Sequence, residues 1–131
     1  MRMTIKEIEY DKNVIYVSGT TSIGSIKGVW QYGEEPIRNK VYFFELSLPE
    51  IAQDKIAIIF EREGHPSVEI REGEVLFTGY CEAVDDICVL RLAGDWLEMV
   101  EIKGGTLGIK KGELISFGVD CEEIGIYPYI L

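Results

Sequence analysis

The segment KVYFFELSL, residues 40–48, decides the fold class of this chain. Its polar residues Glu45 and Ser47 alternate with large apolar ones. Successive side chains of a β-strand point to opposite faces of a sheet, so this pattern predicts a strand with one buried and one solvated face. The apolar row of this strand consists of Tyr42, Phe44, Leu46 and Leu48.

The same alternation recurs along the chain, for example in CVLRL at 88–92 and ISFGVDC at 115–121. Gly, Asn and Asp interrupt these runs every eight to twelve residues, the spacing typical of sandwiches and barrels. We therefore predict one all-β, mainly antiparallel domain over residues 1–131, a β-sandwich or partly closed barrel with at most one or two short helices. The expected strands are Ile5–Tyr10, Val14–Thr21, Ile26–Tyr32, Lys40–Leu48, Ile56–Glu61, Ser67–Arg71, Glu74–Glu82, Ile87–Leu92, Trp96–Ile102, Leu114–Cys121 and Ile124–Leu131.

Three segments are open to more than one interpretation. Residues 47–50 form a capping-box pattern that predicts a helical turn ending near Asp54. Residues 95–98 have the same form, but 95–103 is short for a helix and lies among strands, which favours a strand. Four glycines in residues 103–112 indicate a hairpin with glycine bulges.

The charge is strongly negative and unevenly distributed. The chain has 13 Lys and Arg residues and 23 Asp and Glu residues, which gives a net charge of −10. Residues 1–66 carry ten acids and eight bases, a net of −2, whereas residues 67–131 carry thirteen acids and five bases, a net of −8. Such a field repels phosphate backbones and attracts cationic partners. We expect no direct binding to nucleic acid.

No motif indicates a cofactor, a metal or a catalytic site. The three cysteines match no zinc spacing, and their odd number excludes a complete disulfide framework. His65 is the single histidine and falls in a predicted turn. The glycine-spaced segment 19–24 lacks the Lys and helix of a phosphate loop, and we predict a β-turn there.

The sequence predicts a cytoplasmic protein that does not enter membranes. Residues 1–7 lack the apolar stretch of a signal peptide, and the longest apolar run, residues 56–60, is far short of a bilayer span. We expect its three cysteines to be buried free thiols in a reducing compartment.

Three functional classes remain: a protein-binding module, a β-barrel that binds a small molecule, and an enzyme with a dispersed carboxylate or Cys–His site. The sequence favours the first, with acids that steer a basic partner and aromatics that supply tight contacts. The candidate binding residues are the acids Asp85, Asp86, Asp95, Glu98, Asp120, Glu122 and Glu123 and the aromatics Trp30, Tyr32 and Trp96.

The segment GVWQY at 28–32, followed by VYFFEL at 41–46, resembles the aromatic strand pairs of some immunity proteins that accompany bacterial contact-dependent and polymorphic toxins. Those proteins are small, often acidic, and cover the substrate cleft of a toxin nuclease. The resemblance implies a basic toxin domain as partner. It covers about twenty residues and assigns no functional residue in this chain.

Overall fold

A computed structural model describes residues 1–60, 62 and 64–129 and is built almost entirely of strands. It is 63% strand and 6% helical, which confirms the all-β prediction. The strands are β1 (Arg2–Asp11), β2 (Val14–Thr21), β3 (Gly24–Trp30), β4 (Val41–Ser47), β5 (Ile51–Ala52), β6 (Ala57–Ile59), β7 (Ser67–Arg71), β8 (Glu74–Val84), β9 (Ile87–Ala93), β10 (Trp96–Lys103), β11 (Leu114–Asp120) and β12 (Gly125–Tyr129). The predicted ends at Glu61 and at residues 130–131 lie outside the described residues.

Five strands close a barrel in the order β1-β2-β3-β12-β4, and β4 returns to β1. Tight turns join β1 to β2 and β2 to β3, with Lys12 at φ 56° in the first. Within the barrel, all strand pairs are antiparallel except β3–β12. Gly28 permits that parallel pair, because a Cβ there would lie 2.7 Å from the carbonyl oxygen of Ile124.

The remaining strands extend the sheet beyond the barrel. From β3 the order continues β7-β8-β9-β10-β5, while β11 pairs with β8 and β6 pairs with β11. A bulge between Cys81 and Ala83 divides β8, which pairs with β7 before the bulge and with β9 around it. Residues 95–103 confirm the strand prediction, since β10 runs antiparallel to β9.

One cluster of buried side chains includes residues of the barrel and of the extension. The rings of Phe44 on β4 and Trp96 on β10 meet edge to face with centroids 5.5 Å apart. Such aromatic pairs add to the free energy gained by burying apolar area. The contact therefore fixes β10 close to the barrel strand β4.

The predicted hairpin over residues 103–112 is wrong. Strands β10 and β11 are not neighbours, because β11 pairs with β8 and the glycine-rich segment must cross from one to the other. Its four glycines take positive φ angles, 91–98°, that suit a sharply turning connection. The Gly112 amide donates to the Cys81 carbonyl at 2.7 Å and anchors the crossing.

The helical turn expected from residues 47–50 begins later than predicted. Residues 51–52 form the short strand β5, and a 3-10 turn follows at Gln53–Lys55. Pairing of Ile51 with Ile102 of β10 holds the preceding residues extended, so tertiary contact overrides the local capping pattern. The 3-10 turn Cys121–Glu123 replaces the predicted end of β11.

Candidate functional site

Strand β10 has an open edge. It pairs with β9 over Trp96–Glu101, whereas on its other side β5 pairs only with Ile102 and Lys103. No other described strand adjoins residues 96–101 on that side. An open edge presents backbone N–H and C=O groups that another chain can pair with.

A groove of about 590 Å³ separates this edge from β4 and the end of β12. We call it the β10 groove. Most of its lining residues are apolar by type, although polar atoms contribute the larger part of its accessible surface. Two large apolar side chains stand well exposed beside it: Leu97 at 44% and Met99 at 70%. The lining residues are Met1, Phe44, Glu45, Leu46, Leu48, Asp95, Leu97, Glu98, Met99 and Tyr129.

Glu98 lies on the buried face of β10 and is only 8% exposed. The Trp96 indole Nε1–H donates to Glu98 Oε1 at 2.9 Å. Burial raises the pKa of the Glu98 carboxyl to about 7, the negative charge of Glu45 adds to this rise, and the Trp96 hydrogen bond opposes it. Glu98 therefore changes its charge near neutral pH.

The second carboxylate oxygen of Glu98 is available to a partner. Oε2 receives no hydrogen bond from the described residues and is not sealed from the groove. A carboxylate in this position can accept a hydrogen bond from a cationic side chain that enters the groove. Burial would strengthen that interaction relative to one at an exposed surface.

Asp95 marks one end of the groove. Its Oδ2 lies 3.2 Å from the amino group of Met1, and the hydrogen bond to this amine lowers the pKa of the Asp95 carboxyl. The pair is exposed on the Asp95 side, so it contributes little to stability. Of the ten predicted site residues, the groove region brings together Asp95, Trp96 and Glu98.

The other predicted acids lie elsewhere. Asp85 and Asp86 form the exposed turn between β8 and β9. Asp120 precedes the 3-10 turn beside the start of β8, and Glu122 and Glu123 lie within that turn. Strand β8 has eleven residues, so roughly 30 Å of strand separates these two groups. The acids of residues 67–131 therefore do not form one continuous face.

Trp30 and Tyr32 form a separate aromatic cluster at the end of β3. Trp30 is 6% exposed, and its Nε1–H donates to the Glu34 carbonyl at 2.8 Å. Tyr32 is 40% exposed and packs edge to face on Trp30. Neither residue lines the β10 groove. Trp30 thus serves the core, and Tyr32 alone is accessible.

The positions of the cysteines and of His65 give no support to a Cys–His catalytic site. All three cysteines are buried, with Cys81 and Cys88 Sγ atoms 3.2 Å apart, whereas His65 is exposed. Burial and the neighbouring Cys81 thiol raise the pKa of Cys88 to about 12, which keeps it in the unreactive thiol form. Among the described residues no group of three or more His, Cys, Asp or Glu side chains is placed to hold a metal ion.

Side chains of the barrel strands belong to the buried cluster. Seven side chains from this part of the chain are completely buried, so none of these seven borders a cavity large enough for water. They are Met3, Ile5, Val17, Ile26, Phe44, Ile124 and Ile126. In the part of the chain that the structure describes, no helix is long and apolar enough to cross a membrane.

Sequence reasoning missed the exposed apolar row of β10 and the contribution of Glu45. A signal was present in WLEMVEI, residues 96–102. Large apolar residues point to both faces of this strand, and an acidic residue, Glu98, lies on the same face as Trp96 and Val100. A strand that is apolar on both faces and interrupts its buried row with a carboxyl group is a candidate interface.

Comparisons with protein families, with curated proteins and with solved structures found no match to this chain.

Proposed function

We propose that this chain is a protein-binding domain that receives a basic protein. We further propose that it is a cytoplasmic immunity protein of a bacterial toxin system and neutralises a nuclease-like toxin by covering its active site. The observation that carries the proposal is the β10 groove, where the exposed Leu97 and Met99 lie beside carboxylates. A surface of this composition suits a partner that is cationic and partly apolar.

Charge and apolar contact have separate roles in this proposal. The net charge of −10 draws a basic protein toward the domain and raises the rate of encounter. Once the partner docks, Leu97 and Met99 lose exposed area, and water leaves the groove. Buried apolar contacts of this kind act mainly on dissociation, whereas the surrounding acids act on association.

The immunity role follows from what a toxin nuclease must present. Its substrate cleft binds phosphates and is therefore basic, so an acidic domain can occupy it in place of nucleic acid. The aromatic segments at residues 28–32 and 41–46 add the resemblance to immunity proteins, although their strands β3 and β4 lie on either side of β12 and do not pair with each other. Three cysteines that are all free thiols suit a reducing cytoplasm.

The test is affinity purification of the tagged domain from the organism that produces it, followed by mass spectrometry of the proteins retained. The proposal predicts a basic partner that binds the domain when both are purified, with an affinity that falls as salt rises. It also predicts that the domain inhibits the nuclease activity of that partner. Identification of a neutral or acidic partner whose binding is insensitive to salt would refute it.

A further inference from the structure

The open edge of β10 offers an unsatisfied hydrogen-bonding ladder. In an antiparallel pair, alternate residues direct their N–H and C=O groups away from the partner strand. Residues 96–101 pair with β9, so about half of their backbone groups face the groove instead. Among the described strands, only β5 adjoins β10 on that side, and its register begins at Ile102.

The two faces of β10 differ in the side chains that they would show to an added strand. On the inner face, a neighbouring strand would place a side chain beside Glu98, whose Oε2 lacks a hydrogen-bond donor among the described residues. On the outer face, it would place side chains beside Leu97 and Met99. A strand that fits both faces has a basic residue flanked by apolar residues.

We propose that the edge of β10 from Trp96 to Glu101 accepts an extended segment of the partner as an additional β-strand, with a lysine or arginine of that segment paired to Glu98. This rests on the proposed function and names how the basic partner is held. Addition of a strand to a sheet edge provides backbone hydrogen bonds for affinity and side-chain contacts for specificity. Glu45 and Asp95, which line the same groove, extend the preference for positive charge.

A second copy of this chain is a poor occupant of the edge. Registers that place Glu98 or Glu101 of one copy opposite the same residue of the other would set like charges against each other, in two molecules that each carry a net charge of −10. Like charges on directly opposed strands are destabilising. The charge of the groove therefore selects a basic segment over self-association.

The experiment uses a seven-residue peptide that alternates lysine and valine, capped at both ends, titrated into the ¹⁵N-labelled full chain. One control peptide replaces lysine by glutamate; a second keeps the lysines but carries N-methyl groups on alternate backbone amides. We expect saturable shifts of the β10 amides and of the Trp96 indole N–H, with the Trp30 indole unchanged. Both control peptides should bind at least tenfold more weakly.

Variants of the protein locate the charge that is recognised. Glu98→Gln keeps an acceptor for the Trp96 indole but removes the negative charge, and should weaken binding of the lysine–valine peptide tenfold or more. Glu7→Gln, an exposed change on β1 outside the groove, should alter it less than twofold. Sedimentation velocity run in parallel should show a monomer.

Any one of four results would overturn the inference. Two concern affinity: equal binding of the N-methylated peptide, or unchanged binding of the lysine–valine peptide to Glu98→Gln. The other two concern location: shifts confined to residues outside β10, or a dimer whose interface includes β10. If the peptide shifts only residues outside β10, Glu98 acts instead as a charge that protects the edge from pairing. The proposed function has a separate outcome. If the purified basic partner binds while its contacts lie away from β10, only the strand-addition inference fails; if no basic protein binds, the proposed function fails as well.

Discussion

Replacing Glu98 by Gln should change how the stability of the protein depends on pH. In the folded chain burial raises the pKa of Glu98 to about 7, while an unfolded chain exposes the carboxyl with its ordinary value of 4.5. Below pH 4.5 the group is protonated in both states and contributes no pH dependence. Between these two pKa values the folded state retains a proton that the unfolded state has released, so rising pH lowers the free energy of unfolding.

The size of this effect follows from the two pKa values. Each pKa unit corresponds to about 1.4 kcal/mol, so the difference between 4.5 and about 7 amounts to roughly 3 kcal/mol once the pH exceeds 7. Glutamine carries no charge and can still accept the hydrogen bond of the Trp96 indole. We therefore expect Glu98→Gln to gain roughly 3 kcal/mol over the wild type between pH 4.5 and pH 8.

Urea unfolding of both proteins at half-unit intervals from pH 4.5 to 8.5 measures the difference directly. Charges common to both proteins cancel, so the difference curve isolates Glu98. Glu101→Gln is the matched control, because it removes a carboxyl group from an exposed position on the same strand. A flat curve for Glu98→Gln, or a variant that becomes less stable than the wild type as pH rises, would refute the assignment of a buried, destabilising carboxylate.

Two further predictions concern the interior. A thiol reagent should label the three buried cysteines slowly in the folded protein and rapidly in denaturant, and fast native labelling of any one would contradict their burial. Trp96→Phe should lower the free energy of unfolding by about 1–3 kcal/mol, because it removes the indole donor to a buried carboxyl. It should also raise the pKa of Glu98 further, which NMR titration of the side-chain carboxyl would detect; an unchanged pKa would argue against the hydrogen bond.

The sequence was informative about strands because alternation is a local property. Residues 40–48 and 96–102 alternate as strands do, and both are strands in the structure. The glycine-rich segment at residues 103–112 was misinterpreted for the opposite reason. Turn chemistry shows that the chain bends there, but only the non-local pairing of β11 with β8 determines that β10 and β11 are separated.

The candidate site was only partly accessible to the same reasoning. Acidic composition identified the carboxylates, and Trp96 and Glu98 were among those predicted, but sequence cannot show which turns meet at one end of a sheet. Asp85 and Glu122 are both acidic and both lie in the second half of the chain, yet the length of strand β8 separates them. That Glu98 is buried follows from the packing of β10 against Phe44, which neither segment reveals alone.

The central claim is that the β10 groove, rather than acidic surface in general, receives the basic partner. Two matched double variants test it, each removing two negative charges by exposed Glu→Gln changes. The groove variant replaces Glu45, which lines the groove, and Glu101, which lies outside the lining on the exposed face of the same β10 edge. The distal variant replaces Glu122 and Glu123. Surface plasmon resonance gives the association rate of each with the identified basic partner across a salt series.

The groove variant should associate about tenfold more slowly than the wild type at low salt, and the distal variant within about twofold of it, because the local field at the docking face dominates steering. The difference should shrink as salt screens the charges. Equal slowing by both variants, or greater slowing by the Glu122 and Glu123 pair, would contradict the account.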